Sequence, residues 1–234
     1  MKQVRTRHQE AVDRIAQWII AGRFEEHGNL PREDELSAEL GLSRTVVREA
    51  MRTLVAKGMV SVRPRHGTHL LPREKWNLFD PQVLAWRSQG GVSRDLANDL
   101  MDFRLGIEPF AADLAARRSD FPIGELEEAF ARMSRAAVEG EGSYESADLD
   151  FHKSILMGSG NQFLQHLVPL MANALTLSFQ LSVENMETAR SSLPMHRNVV
   201  EAIRRRDPDA ARQALATLIE SARKDIFALL SRRS

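Results

Sequence analysis

Three side chains in the C-terminal part of the sequence have the types and spacing to hold a cation. In SADLDFHKSIL, Asp148 and His152 are four residues apart, so on a helix they share one face within reach of a single ion. His196, in LPMHRNVVEAI, lies on a later helical stretch that a bundle can bring opposite. Carboxylate oxygen and imidazole nitrogen are ordinary ligands of zinc and similar divalent metals. A fourth residue, Arg104 in MDFRLGIEPFAADLAARR, carries a planar fork that suits a carboxylate. Plainer readings stand beside these. An Asp-x3-His pair also serves as a simple ion pair on an exposed helix, and Arg104 can pair with Glu108, four residues on. Spacing alone leaves both open. His166 has no partner at ligand spacing and reads as structural. A hydrolase acting through a metal-bound water would need a general base beyond the ligands. Asp150 lies two residues before His152, about 200° round an ideal helix, and faces away. No catalytic residue and no enzyme activity are therefore expected.

A second constellation lies in the N-terminal third. Ser43 is placed to cap a helix running to about Lys57, with Gly58 following as its stop. Within it Val47, Ala50, Met51, Leu54 and Val55 face inward, while Arg44, Arg48 and Arg52 recur every four residues on the outward face. A shorter helix around REDELSAEL precedes it and ends at Gly41, which gives the two-helix geometry that lays a helix in the DNA major groove. Arg pairs with guanine, and Ser or Thr with phosphate or base, so Ser43, Arg44, Thr45 and Arg48 are the candidate contacts. The following run, MVSVRPRHGTHLL, is β-rich and broken by Pro64 and Gly67. It reads as a hairpin whose tip carries Arg63, Arg65, His66 and His69, with Gly67 allowing close backbone approach. The alternative for the pair is a solvated Arg-studded helix beside an ordinary hairpin. Their order and proximity favour a winged helix-turn-helix.

The elements that must position these residues set the fold class: mainly α, a winged helix-turn-helix over residues 1–75 and an all-α antiparallel bundle over residues 76–234. Residues 5–21 place Val12, Ile15, Ala16, Ile19 and Ile20 on one helical stripe. Beyond Pro81, helical patterns run Leu96 to Arg117, Gly124 to Val138, Ser143 to Met157, Gln162 to Glu184, Glu187 to Arg206 and Asp209 to Leu230. The 32 Lys and Arg cancel the 32 Asp and Glu, which excludes a uniformly basic nucleic-acid coat protein. The cancellation is uneven, for residues 1–75 hold 14 Lys and Arg against 10 Asp and Glu. With no cysteine, disulfide scaffolds and Cys-zinc modules are ruled out. No apolar run approaches the ~20 residues of a membrane helix, and MKQVRTRHQEAVDR lacks a signal-peptide core, so a cytoplasmic protein without membrane contact is expected. Between the parts, LPREKWNLFDPQVLAW reads as a connector that starts a new helix near Pro81, with Trp76, Leu78 and Phe79 apolar enough to pin it.

The stretch LPREDELSAELGLSRTVVREAMRTLVAKGMVSVRPRHGTHL resembles the winged helix-turn-helix of GntR-family transcription regulators, most specifically in SRTVVREAMRTL and RPRHGTHL. The resemblance implies DNA contacts from Arg44, Thr45 and Arg48, with His66 and Gly67 at the wing tip. Where some relatives have Arg on the second helix this chain has Asp34, which leaves Arg32 as the phosphate contact there. RLGIEPFAADLAARR, DLDFHKSILMGSGN and MHRNVVEAIRRRD follow, in order, the landmarks of the FCD ligand-binding domain of the FadR subfamily. Its metal-binding members hold a divalent ion with one Asp and three His. Asp148, His152 and His196 match three of those positions, and Leu218 stands at the fourth. Three protein ligands still permit zinc, with the open position falling to water or an effector oxygen. The resemblance then places Arg104 on the effector's carboxylate, with Asn161, Asn173 and Ser178 lining the pocket. The connector WNLFDPQVLAW is similar to that of FCD regulators of sugar-acid catabolism, which implies an aldonic acid; lactate or another short hydroxy acid is the alternative. The expected protein is a homodimeric repressor on a near-palindromic double-stranded DNA operator, released by a small carboxylic acid.

Overall fold

The computed structural model describes residues 6–24, 28–63, 67–89, 92–182 and 186–233. The chain divides into two compact units, residues 1–91 and 92–234, each with its own hydrophobic core.

In the first unit α1 (Arg7–Ile20) opens with the Thr6 hydroxyl accepting from the Gln9 amide, and it buries Ala11, Val12, Ile15, Ala16 and Ile19. Ile20 lies at the edge of that stripe, half-buried. α2 (Glu33–Leu40) ends where Gly41 takes the left-handed conformation at φ 69°. Two residues later Ser43 starts α3 (Arg44–Ala56), accepting from the Val46 amide, and α3 buries Val47, Ala50, Met51 and Leu54. Val55, expected inward, is 40% exposed because it sits past the edge of that stripe. Gly58 turns the chain at φ 71°, and a Cβ there would come within 2.5 Å of the Lys75 carbonyl, so glycine is required on both counts. β1 (Val60–Arg63) and β2 (Gly67–Leu70) pair antiparallel with Ser61 opposite His69 and Arg63 opposite Gly67. The segment at Gly28 to Leu30 adds to the sheet edge: the Leu70 amide donates to the Gly28 carbonyl and the Leu30 amide to that of Thr68.

The expected boundary after residue 75 is displaced to residue 91. The cause is the connector's aromatics. Trp76 is buried in the head core, its indole N–H donating to the Leu71 carbonyl. α4 (Pro81–Gln89) buries Val83 and Trp86 in that same core, and the Trp86 indole donates to Asp13 of α1 at 3.1 Å. Asp80 caps α4 through the Gln82 amide and receives Lys57 Nζ, from the end of α3, at 2.5 Å. Phe79 does not take part in this pinning and is 66% exposed.

The second unit is all helical: α5 (Arg94–Arg117), α6 (Ile123–Glu139), α7 (Tyr144–Gly158), α8 (Gln162–His166), α9 (Val168–Ser182), α10 (Met186–Arg204) and α11 (Pro208–Arg233). α5 packs most extensively on α11, α6 on α7, and α10 on both α11 and α6. The core is rich in alanine on α5, with Phe151, Ile155, Leu156, Met133 and Met171 filling the space between helices. The single helix expected from Gln162 to Glu184 is two, parted at Leu167, and Pro169 falls in the first turn of α9 where a missing N–H is tolerated. Glu184 lies outside the described residues. None of the described helices is long and apolar enough to cross a membrane.

Candidate functional site

In the first unit Ser43, Arg44, Thr45 and Arg48 are all exposed, and the side chains of Arg44 and Arg48 make no ion pair or hydrogen bond among the described residues. The inward stripe of α3 leaves them facing solvent, with Ser43 spent on the cap. Arg52, expected on the same face, pairs instead with Glu49 at 2.8 Å. Arg32 is exposed at the start of α2, its amide donating to Glu35. On the wing, Gly67 is exposed at φ 84°. Arg65 and His66 lie outside the described residues. His69 departs from the expected tip position. It sits within β2, bridges to Asn29, and its Nε2 is buried without a partner.

In the second unit α7 supplies Asp148 and His152 one turn apart, α10 supplies His196, and α5 supplies Arg104 and Glu108. Ligand atoms of Asp148, His152 and His196 all lie within 4.8 Å of one another. His196 Nδ1 is 3.0 Å from the Ser192 carbonyl, an acceptor only, so that nitrogen carries a proton. Its Nε2 then faces Asp148 Oδ1 at 3.0 Å, and His152 Nε2 faces the same oxygen at 3.8 Å. Behind it His152 Nδ1 meets Glu108 Oε2 at 2.5 Å, in close charge contact but without the alignment of a hydrogen bond. Both rings are thus backed by an acceptor at Nδ1 and turn Nε2 toward one carboxylate. That arrangement calls for either a proton or a shared cation between them. It is also how a metal-binding His is oriented by an outer carboxylate or carbonyl.

Burial alone would raise Glu108, but the charges and contacts of Arg104 and His152 hold its carboxyl at about 2. Burial opposes ionisation of Asp148 too, and is overcome by His196, His152 and Arg104, so its pKa lies below the usual carboxylate value. Arg104 is 4% exposed, donates to Glu108 at 2.6 Å and to the Ser178 hydroxyl at 2.8 Å. The pairing with Glu108 and the ligand-facing role are therefore compatible, since Arg104 also lines the cavity that holds the cluster. That cavity encloses about 560 Å³ including its mouth. Ser178 lines it as expected; Asn161 and Asn173 do not. Asn161 caps α8 by accepting from Phe163 and Leu164, and Asn173 donates to the Pro169 carbonyl on its own helix. His166 bonds the Gln162 carbonyl. Leu218 does face the cavity.

Sequence reading missed much of the lining: Tyr144 on α7, Ser191 and Ser192 on α10, and Ser221 and Asp225 on α11. The signal was present as helical spacing. Ser192 lies one turn before His196, and Ser221 and Asp225 continue the stripe of Leu218. Asp150 turns outward to Arg132 at 3.0 Å, as its angular offset required.

Residues 99–221 match the family described as the FCD domain, and residues 7–70 match the bacterial regulatory proteins of the gntR family. Among curated proteins the chain is 32% identical over 217 residues to the HTH-type transcriptional regulator YieP of Escherichia coli K12, spanning 89% of this chain and 90% of that one. It is 29% identical over 209 residues to the galactonate operon transcriptional repressor of the same organism, covering 88% of this chain and 91% of the relative. Among solved structures, a GntR protein of Streptococcus agalactiae superposes with a TM-score of 0.51 at 26% identity, across 93% of this chain and 99% of its own.

Proposed function

This chain belongs to the gntR family of bacterial regulatory proteins and carries an FCD domain, and from that premise we propose that it is a homodimeric repressor released from its operator by a sugar acid bound in the second unit. It is a DNA-binding transcriptional regulator and not an enzyme, as its domains and relatives are. In the proposed reading Arg44, Thr45 and Arg48 read the major groove while Ser43, Arg32 and the wing residues Arg65, His66 and Gly67 fix the head on phosphates or the minor groove. Two heads of a dimer occupy two half-sites of a near-palindromic operator.

The observation that carries the effector half is the Asp148, His152 and His196 cluster opening into a cavity beside buried Arg104. Those three side chains would hold a divalent cation, zinc by ligand type, and bound there it would supply a Lewis-acid anchor for carboxylate and hydroxyl oxygens. Glu108 and the Ser192 carbonyl orient the two imidazoles. Arg104, already neutralised in part by Glu108, presents its remaining donors to an anionic head group. Leu218 contributes no ligand, so one coordination position is left to the effector. The galactonate repressor among the relatives supports a sugar acid rather than a shorter hydroxy acid.

The test uses a duplex selected by the protein from a random library and measures its release. D-galactonate with Zn²⁺ is expected to lower DNA affinity, and His196→Ala or chelation to abolish that response while leaving DNA binding intact. Equal release from metal-stripped protein overturns the metal-bridged reading. Release by L-lactate alone moves the effector to the short hydroxy acids.

A further inference from the structure

α11 presents Leu218, Ser221, Ala222 and Asp225 to the cavity, the i, i+3, i+4, i+7 stripe of one helical face. Leu218 and Asp225 are separated by about 10 Å along the axis at the helical rise. Asp225 is half-buried and, with Ser221, has no side-chain hydrogen-bond or ion-pair partner among the described residues. Its carboxyl is pushed above the ordinary aspartate value by burial, with nothing nearby to offset it. An unpaired acid inside a cavity is unusual in a unit whose other buried charges are all answered, and it lies outside the compact ligand set of Asp148, His152 and His196.

The α10 side of the cavity has the same polarity. Ser191 Oγ donates to the Thr188 carbonyl, and Ser192 Oγ donates to the Ala189 carbonyl, so each hydroxyl oxygen is left as an acceptor. Ser192 spends that capacity on the Tyr144 hydroxyl at 2.7 Å. The cavity is therefore cationic where Arg104 sits and acceptor-rich along α10 and α11. A ligand that satisfies both ends is an anion at one end and a chain of hydroxyl donors at the other.

We propose that Asp225, assisted by Ser221 and Ser191, is the subsite that recognises the distal hydroxyls of a polyhydroxylated acid and so selects it over a three-carbon hydroxy acid. The inference rests on the sugar-acid reading above and adds the residue that measures chain length. With its carboxylate held at the Leu218 end of α11, a six-carbon acid with a bond at each end spans the ~10 Å to Asp225. Lactate, whose single hydroxyl adjoins its carboxylate, does not reach Asp225.

Calorimetry of the full-length protein with Zn²⁺ present, using D-galactonate and L-lactate as probes, tests this. Asp225→Ala is expected to weaken D-galactonate about tenfold or more, as loss of hydrogen bonds to a charged group implies, and Asp225→Asn less, because its amide oxygen still accepts. L-lactate affinity is expected to stay within about twofold in both variants, since it makes none of the lost bonds. Unchanged DNA affinity without acid shows that the variants are folded. Unchanged or tighter D-galactonate binding, or equal loss for both acids, overturns the subsite while leaving the sugar-acid reading intact. If the unaltered protein binds no D-galactonate, the sugar-acid reading fails and the subsite fails with it.

Discussion

Arg44 and Arg48 stand exposed on α3 with no side-chain partner among the described residues, whereas Arg104 is 4% exposed and grips Glu108 and Ser178. The contrast separates two uses of the same side chain. On α3 these two guanidinium groups stay hydrated until a polyanion displaces their water and counterions, so the fold does not depend on them. In the second unit a guanidinium has been taken out of water, at a desolvation penalty of several kcal/mol, and is tolerable only because Glu108 and Ser178 answer it. Glu108 in turn answers His152, and Asp148 answers His196. Charge on the outward face of α3 is therefore held in reserve for a ligand, and the charge around Arg104 is part of the fold as well as of the site.

The largest effect that would break this contrast is on Glu108. Glu108→Ala strands Arg104 and is expected to lower stability by ~3–5 kcal/mol, read as a shifted urea midpoint. A loss under ~1 kcal/mol would show that Arg104 is hydrated after all. The pH dependence has a definite sign. Glu108 has a folded pKa below its unfolded one, so its contribution is full above about 4.5 and is lost as pH falls toward about 2; Asp148, also lowered, acts in the same direction. Glu108→Gln should flatten that fall in thermal melts of the metal-free protein; an unchanged profile would assign the acid lability elsewhere.

Next in size is the recognition helix. Arg48→Ala is expected to cost ~1–3 kcal/mol of affinity for the selected duplex if it reads a base edge, with stability within about 0.5 kcal/mol. A comparable loss of stability would mean that the head, too, folds around its charges. Ser43→Ala is smaller, about 1 kcal/mol of stability from the lost cap on the Val46 amide, seen by thermal melts. No change would leave the cap without energetic weight.

How much of this was legible depends on whether the signal was local. Ser43, Gly41 and Gly58 announce the bounds of α2 and α3, because caps and left-handed turns are set by the residue itself. The pairing of Asp148 with His152 is likewise one helical turn of sequence. His196 joins them only through packing of α10 on the bundle, which spacing permitted and could not require. Trp76, Leu78 and Phe79 showed that the connector was not free, but the choice of core lay with tertiary packing, as in the bond of Trp86 to distant Asp13. Polarity reads alike whether a side chain lines a cavity, caps a helix as Asn161 does, or bonds a carbonyl of its own helix as Asn173 does.

The smallest effect sharpens the contrast most. Arg44, Arg48 and Arg52 share a four-residue spacing, so the sequence treats them as one face, yet Arg52 already holds Glu49 at 2.8 Å. Both partners are well exposed, and such a pair contributes only ~0.2–0.5 kcal/mol. Arg52→Ala should thus shift the urea midpoint barely, and because Glu49 cancels its charge locally it should also leave DNA binding nearly as it was. The salt dependence is the discriminating measurement. A phosphate contact removed lowers the slope of log affinity against log salt by about one, so Arg52→Ala is expected to preserve the slope. A reduced slope would show that Arg52 abandons Glu49 on binding, and the reserve of free charge in the head would then include a third arginine.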